Sequence, residues 1–420
     1  MDGQTENILN LREGIKFRKI SSLDGSDLYG SLDEKLRSLE EKKITIKERT
    51  NTEIPTYSKA KAYRNNKLKR VFSRVGYFQA IVRQRLVGKD YPVIAIIVVN
   101  NKCNWNCTYC FGDYSKRNDI DYSTNEIKYI VDELHAMGCR YINMHGGETL
   151  LRSDVGELVN FIKNKGMYLA IITNGQLLPK RLDDLRGVDS ITLSLDGRSE
   201  SNDKVRGNGT HDIALSAVRL AIKEGIPVRV SATVTKHTKN DVGYLAELAK
   251  KEGFQLYFSI LFKSVKHATD IEMDAEEIQT ALKQIARYKH MGYPIFTTHR
   301  ALRAALEWPF DYNAVHHCTE AQIPSAYRKY HIPCYYSKTK FTIEADGYIY
   351  PCFLTTDGSF QPKNWREVGL REAIKHVMVS NTCKACPAMS QNDHNLLLGL
   401  NFKHVAYVIK EQWKEALNFG

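Results

Sequence analysis

The chain has 420 residues, a formal net charge of +12, 43% hydrophobic residues and 10% aromatic residues. This composition excludes an intrinsically disordered protein, and the longest apolar run, residues 91–99, is too short to span a bilayer. The N-terminus has no basic segment followed by an apolar one, so we expect no secretory signal and a cytoplasmic location, where nine cysteines do not predict a disulfide framework.

Residues 1–90 are predicted to form a basic, partly helical N-terminal extension. Residues 54–89 contain ten Lys or Arg and no Asp or Glu. Apolar residues recur there at helical spacing, namely Leu68, Val71, Phe72, Val75, Val82 and Leu86. We expect Gly76 to break the helix and the apolar stripe to pack on the main domain, with the charges in water. The alternatives are that the helix lies on an anionic membrane surface or recognises an acidic peptide or nucleotide-linked substrate.

From residue 91 onward, short apolar runs alternate with longer amphipathic segments. Strands are predicted at 93–99, 140–145, 168–173, 189–195, 228–234 and 255–260. Helices are predicted at 124–137, 154–165, 179–186, 211–225, 241–252 and 274–290. This alternation predicts an α/β fold with a parallel sheet, and six units predict a partial (β/α)6 barrel instead of a closed eight-unit one. Ligands are then expected at the carboxyl ends of the strands.

Three cysteines, Cys103, Cys107 and Cys110, directly follow the first predicted strand. Thiolates at this spacing can hold three irons of a [4Fe–4S] cluster and leave the fourth iron open to a small molecule that carries an amine and a carboxylate. The alternatives are a structural zinc site, which needs a fourth ligand from a distant part of the chain, and a group of core cysteines.

The motifs and their order resemble those of the radical S-adenosylmethionine (SAM) superfamily over roughly residues 93–290. The three cysteines match its cluster motif, and Phe111 matches the aromatic residue beside the adenine. Gly146, Gly147 and Glu148 end the second predicted strand and match the motif that binds the SAM amino group. There the glycines allow close approach of the backbone, and the glutamate accepts from an ammonium.

The same resemblance suggests three further SAM contacts. Asn174 lies in a Thr-Asn-Gly segment that ends the third predicted strand, as is common in this family. Ser194 and Arg206 match a serine and an arginine, twelve residues apart, that contact SAM in the members that modify sulfatases and peptides. The resemblance implies that Arg206 forms a fork to the SAM carboxylate, and the alternative is a surface arginine in a loop.

A second group of cysteines, Cys334, Cys352, Cys383 and Cys386, lies near the C-terminus. Alternating apolar residues on either side of Asp346-Gly347 predict a β-hairpin between the first two. The group resembles the SPASM/twitch auxiliary-cluster module, in its twitch form because a full SPASM module has seven cysteines, and this implies a second [4Fe–4S] cluster. A structural zinc site is the alternative.

Two cysteines fall outside these motifs. Cys139 is expected to be a small core residue, and Cys318 is expected to be a partly buried thiol near the second group, with no role assigned.

The resemblance implies four segments and a reaction. The segments are the extension 1–90, a radical SAM partial barrel 91–293, a twitch-like hairpin and helix module with its linker 294–395, and a C-terminal helix within 396–420. The implied enzyme reductively cleaves SAM to a 5′-deoxyadenosyl radical that abstracts a hydrogen atom from an unidentified substrate, while the auxiliary cluster assists electron transfer.

The partners are less defined than the reaction. The resemblance implies an electron donor such as flavodoxin or ferredoxin. The substrate is open between a small molecule that is dehydrogenated, a ribosomal peptide, and a lipid or lipid precursor at the membrane surface. The non-enzyme alternative is a zinc-bound scaffold or a nucleic-acid binder. The Gly-Gly-Glu segment, the Ser194 and Arg206 pair and the barrel pattern argue against it.

Overall fold

Six parallel strands, each followed by helical segments, form the centre of the computed structural model. The structure describes residues 54–63, 67–87, 90–262, 269–356 and 358–418, so the predicted extension before residue 54 lies outside the described residues. The strands are β1 (Ile94–Val98), β2 (Tyr141–His145), β3 (Tyr168–Thr173), β4 (Ser190–Ser194), β5 (Val228–Val234) and β6 (Gln255–Ile260). They pair in chain order, which confirms the predicted partial α/β barrel.

Helices accompany these strands. They are α1 (Lys67–Val87), α2 (Thr124–Met137), α3 (Val155–Asn164), α4 (Leu178–Arg181), α5 (Ser199–Arg206), α6 (Thr210–Lys223), α7 (Val242–Glu252), α8 (Ala275–His290) and α9 (His299–Leu306). Helices α2, α3, α6, α7 and α8 lie within two residues of the predicted bounds. The predicted helix 179–186 is a short α4 followed by a 3₁₀ turn. Helices α5 and α9 were not predicted, and the polar sequence of α5 has no apolar periodicity.

The predicted hairpin is confirmed, and it also extends the barrel sheet. Its strands are β7 (Lys340–Ile343) and β8 (Tyr348–Tyr350), and a short β9 (Lys363–Asn364) follows. Strand β7 pairs in parallel with β1 on the side opposite β2, so Ile96 of β1 faces both Asn143 and Thr342. The result is one sheet of nine strands in the order β6-β5-β4-β3-β2-β1-β7-β8-β9.

Four helices complete the chain. They are α10 (Trp365–Val368), α11 (Leu370–Ser380), α12 (Met389–Leu398) and α13 (Phe402–Asn418). The indole of Trp365 is fully buried and donates to the Tyr122 hydroxyl at 3.0 Å, which ties this C-terminal part to the barrel. Cys139 is fully buried in the main core, as predicted. No helix within the described ranges is long and apolar enough to cross a membrane.

Helix α1 packs with a different face from the one we predicted. It continues through Gly76, so the predicted break is wrong. Its buried side is centred on Tyr77, whose ring meets Tyr141 edge-on at 5.1 Å and also contacts Tyr168. The predicted packing of the apolar stripe is also wrong, because Leu68, Phe72, Val75, Val82 and Leu86 are all exposed.

Candidate active site

The first cysteine motif forms the loop that leaves the carboxyl end of β1. All three thiols are half-buried and free. The Trp105 N–H points at Cys103 Sγ at 3.4 Å, and the Cys110 N–H donates to the Cys107 carbonyl at 3.1 Å. Burial raises the pKa of Cys103 to about 12 and also raises that of Cys107, so both thiols stay protonated unless a cation compensates the thiolate.

Two glycines at the end of β2 bring this strand against the cysteine loop. The N–H of Glu148 donates to the Lys102 carbonyl at 2.7 Å, one residue before Cys103. A Cβ atom on Gly147 would lie 2.3 Å from that carbonyl oxygen, and a Cβ on Gly146 would lie 2.4 Å from Asn100 Oδ1. Gly147 is therefore required by the close approach of two backbones, and Gly146 by the close approach of the Asn100 side chain.

The carboxylate of Glu148 is buried and accepts three hydrogen bonds. Thr173 Oγ1 donates to Oε1 at 2.7 Å, the Leu150 N–H to Oε1 at 2.9 Å, and the Asn174 N–H to Oε2 at 2.7 Å. Burial raises its pKa, and the three donors oppose this. An ionised carboxylate offers about four acceptor positions, so roughly one remains for another donor.

Asn174 anchors the third strand to the cysteine loop. Its Nδ2 donates to Asn104 Oδ1 at 2.8 Å. Its neighbour Gln176 accepts from the Trp105 indole at 2.9 Å and from the Asn104 amide. Gln176 was not predicted as a site residue, although it stands two positions after a predicted one.

Ser194 and Arg206 both lie at the carboxyl side of the barrel, and Arg206 is buried, so the alternative of a surface arginine is wrong. Ser194 is half-buried at the end of β4. Arg206 ends α5, is buried, and forms a two-point ion pair with Asp196. The remaining Nη1 lies 3.9 Å from Cys107 Sγ. Asp196 also accepts from the Tyr109 hydroxyl, so this pair fixes the cysteine loop.

Asp196 was missed because only Ser194 of its segment was given a role from the sequence. Its carboxylate also accepts the Thr233 N–H at 2.8 Å, so it joins β4, β5 and the cysteine loop. Its position two residues after Ser194, at the end of a strand, is the signal that could have found it.

Phe111 links the two cysteine groups. Its ring lies 4.8 Å from Phe353, which follows Cys352 directly, and Phe353 stacks on His145 at 5.4 Å. Burial lowers the pKa of His145 to about 3, so its imidazole is neutral. Neither Phe353 nor His145 was predicted, because no local motif marks a contact between distant loops.

The four C-terminal cysteines line one cavity. Cys334, Cys352, Cys383 and Cys386 form its walls together with Tyr336, Gln391 and other residues. Burial raises the pKa of Cys352 to about 11 and also raises that of Cys386. A hydrogen bond between Cys334 and Cys383 lowers the pKa of Cys334 and raises that of Cys383.

Cys318 lies beside this cavity and is buried. Its backbone forms an isolated antiparallel bridge with Ala385, in which the Cys318 N–H donates to the Ala385 carbonyl at 3.0 Å. Cys318 therefore holds the loop that carries Cys383 and Cys386. Among the described residues, no three His, Cys, Asp or Glu side chains are grouped as ligands of one metal ion.

Comparison with known proteins finds a family model that matches part of the barrel. Residues 97–251 match the family model described as the radical SAM superfamily. The mycofactocin maturase MftC of Mycolicibacterium smegmatis is 32% identical over 205 residues, 47% of this chain and 52% of that protein. Fe-coproporphyrin III synthase of Methanosarcina barkeri is 29% identical over 223 residues, 49% of this chain and 55% of that protein. The chain thus spans about half the length of the curated relatives it matches.

Solved structures share the fold at low sequence identity. Streptococcus suis SuiB, in its complex with the precursor peptide SuiA, has a TM-score of 0.55 at 15% identity, with 83% of this chain and 78% of that chain covered. The structure of anSMEcpe with bound AdoMet has a TM-score of 0.52 at 16% identity, with 78% of this chain and 99% of that chain covered.

Proposed function

Since residues 97–251 match the family model of the radical SAM superfamily, we propose that this chain belongs to that superfamily and is an enzyme that reductively cleaves SAM and abstracts a hydrogen atom from its substrate. When bound, SAM and a [4Fe–4S] cluster supply the 5′-deoxyadenosyl radical. The observation that carries this proposal is the 2.7 Å hydrogen bond between Glu148 N and the Lys102 carbonyl. It joins the Gly-Gly-Glu segment to the cysteine loop in one site.

The residues of the cysteine loop fit an iron–sulfur cluster. Cys103, Cys107 and Cys110 would each ligate one iron, and iron would offset the cost of the buried thiolates. Arg206, held by Asp196, would place its Nη1 beside the Cys107 sulfur as a hydrogen-bond donor.

The SAM-binding residues would surround this loop. Glu148 would use its remaining acceptor position for the SAM ammonium, as its three internal donors hold the carboxylate in place. Gly146 and Gly147 would hold the Gly-Gly-Glu segment close to the cysteine loop, and Phe111 would lie by the adenine. Asn174, Ser194 and Arg206 are the further SAM contacts that the family resemblance implies. Because Nε and Nη2 of Arg206 donate to Asp196, Arg206 would reach SAM through Nη1 and not through the predicted fork.

The auxiliary module, proposed as residues 294–395, would hold a second [4Fe–4S] cluster on Cys334, Cys352, Cys383 and Cys386. All four line the same cavity, so their thiolates could each take one iron of a cubane. A structural zinc ion held by the same four thiolates is the alternative. The contact of Phe353 with Phe111 supports a substrate position and electron path between the two cysteine groups.

We further propose a ribosomally made peptide as the substrate, with flavodoxin or ferredoxin as electron donor. The support is the similarity of the barrel to mycofactocin maturase and the shared fold with SuiB, which was solved with its precursor peptide. The domain assignments 1–90, 91–293 and 396–420 are part of the same proposal. To test the substrate, the reconstituted enzyme is incubated with SAM, a reductant and a candidate precursor peptide. A mass change that requires SAM supports the proposal, and an unmodified peptide beside active SAM cleavage argues against it.

Metal analysis and SAM cleavage test the two cluster sites. The anaerobically reconstituted protein should hold about eight irons, from two cubanes. Replacing Cys103, Cys107 and Cys110 by Ala should leave about four irons and abolish 5′-deoxyadenosine formation. Reductive SAM cleavage by this triple variant would refute the proposed function.

The matched variant for the auxiliary site is Cys383→Ala with Cys386→Ala. It should also retain about four irons, but it should still form 5′-deoxyadenosine. Cys139→Ala, which removes a buried core thiol outside both groups, should leave the iron content unchanged. One zinc per chain together with a single cubane would show that the C-terminal site is structural.

A further inference from the structure

Helix α1 lies at the end of the barrel opposite the cysteine loop. Its Tyr77 packs on Tyr141 and Tyr168, which begin β2 and β3. Arg74 of the same helix pairs at 3.5 Å with Asp189, which directly precedes β4. These contacts are all at the amino ends of strands, whereas the cysteine loop leaves the carboxyl end of β1.

The opposite face of α1 exposes a row of large apolar side chains, which the polar residue Gln79 interrupts near its middle. Leu68, Phe72 and Leu86 are 68%, 69% and 80% exposed, and Val75 and Val82 between them are also exposed. Their spacings of four, three, seven and four residues place them on one side of the helix. We call this row, Leu68, Phe72, Val75, Val82 and Leu86, the exposed stripe.

Positive charge borders the exposed stripe. The helix carries six Lys or Arg and no Asp or Glu: Lys67, Lys69, Arg70, Arg74, Arg83 and Arg85. At 3.6 residues per turn, Arg83 lies about 60° from the centre of the stripe, and Lys69 and Arg85 lie about 100° from it on its two sides. Arg85 stacks over Tyr335 at 4.6 Å, and Lys69 lies over Tyr63 at 5.0 Å, so protein contacts orient both side chains.

We propose that α1 binds the surface of an anionic lipid bilayer, with the exposed stripe inserted among the acyl chains and the flanking cations at the headgroups. An apolar face bordered by Lys and Arg, with no acidic residue, is the arrangement of helices that lie in the membrane interface. A second copy of the chain fits this face less well, because a symmetric contact would place the positive charges of one α1 against those of the other. The proposal is independent of the proposed function.

The position of α1 also defines what this binding would do. With α1 on the bilayer, the carboxyl ends of the strands and the cysteine loop lie at the far end of the barrel. The helix would therefore anchor the enzyme to the membrane without bringing its site to the lipid. Membrane binding by α1 would therefore not imply that the substrate is a lipid.

Vesicle co-sedimentation of the full chain tests the proposal. The protein should pellet with vesicles of phosphatidylglycerol and phosphatidylcholine in equal parts, but not with phosphatidylcholine alone, and should be released as salt rises. The double variant Phe72→Gln, Leu86→Gln should lower the partition coefficient by at least about tenfold, since two exposed apolar groups no longer enter the bilayer. Arg83→Gln should lower it by about fivefold.

Matched controls come from equally exposed residues elsewhere in the chain. Val379→Gln with Met291→Gln removes two exposed apolar side chains, and Lys283→Gln removes an exposed charge. Both should pellet as the wild type does, and thermal melts should show that every variant folds. Equal pelleting of the Phe72/Leu86 variant and wild type, or no pelleting at low salt, would overturn the proposal. So would a dimer in sedimentation velocity that the same variant dissociates, because a second copy would then cover the stripe.

Discussion

Arg206 and Asp196 form a buried two-point ion pair, with Nε to Oδ2 at 2.6 Å and Nη2 to Oδ1 at 3.0 Å. The pair stands between α5 and the end of β4, and its free Nη1 reaches the Cys107 sulfur. Arg206 therefore has a structural task beside the proposed contact with SAM. The two tasks can be separated by experiment.

Arg206→Ala should lower the free energy of unfolding by about 3–5 kcal/mol, because it leaves the Asp196 carboxylate buried and unpaired. Asp196→Asn with Arg206→Gln should recover part of this loss, as neither residue is then charged. Arg186→Ala is the control, since its pair with Asp183 is exposed and contributes about 1 kcal/mol or less. Denaturant unfolding measures all three. If the double variant regains stability but not SAM affinity, Arg206 contacts SAM directly. If it regains both, Arg206 affects SAM binding only by stabilising the fold.

Glu148→Gln should weaken SAM binding by at least about tenfold, because a neutral amide loses the charge-assisted bond to the SAM ammonium. Equilibrium binding to the anaerobically reconstituted protein measures the change, with iron determined on the same samples. Iron should stay at the wild-type content. Glu126→Gln, at the start of α2, should change neither quantity. Loss of iron with unchanged SAM affinity in the remaining cluster-bound fraction would reverse the assignment.

Gly147→Ala should disrupt the cysteine loop, since the new Cβ would lie 2.3 Å from the backbone oxygen of Lys102. We expect much lower iron incorporation and a lower melting temperature. Gly76→Ala is the matched control. Nothing lies within 4 Å of its added Cβ, and replacing an interior helix glycine should stabilise the protein by about 0.5–1 kcal/mol. Normal iron incorporation by Gly147→Ala would show that the two backbones can separate without loss of the site.

Glu344 should make stability fall as pH rises through about 6. It is buried at the end of β7, next to the Tyr114 hydroxyl at 3.1 Å, and burial raises its pKa from 4.5 to about 6. Its contribution is therefore fully present below pH 4.5 and lost as pH rises through about 6. Glu344→Gln stays neutral, so relative to wild type it should gain about 2 kcal/mol between these limits. Parallel stability curves for the two proteins over this range would contradict the prediction.

Local sequence was sufficient to predict the strands, helices and motifs whose residues lie close together in the chain. The apolar runs and their amphipathic partners specified six βα units, because a strand buried on both faces is apolar throughout and a helix packed on the sheet is apolar on one face. The spacing of Cys103, Cys107 and Cys110 and the Gly-Gly-Glu segment indicated the site for the same reason: the loops that carry them leave the ends of adjacent parallel strands.

Tertiary packing alone decided the relationships between distant segments. The pairing of β7 with β1 depends on backbone hydrogen bonds that any extended segment can form, so the residue types in these strands do not predict it. The pairing of Arg206 with Asp196 depends on how α5 packs against the end of β4. Helix α1 buries the face that carries Tyr77 and Arg74, because Tyr77 packs on an aromatic ring of the sheet and Arg74 pairs with Asp189. The more apolar face of the helix stays exposed. Helical periodicity shows that a helix has apolar faces, but only the shape and charge of the surface it meets determine which face is buried.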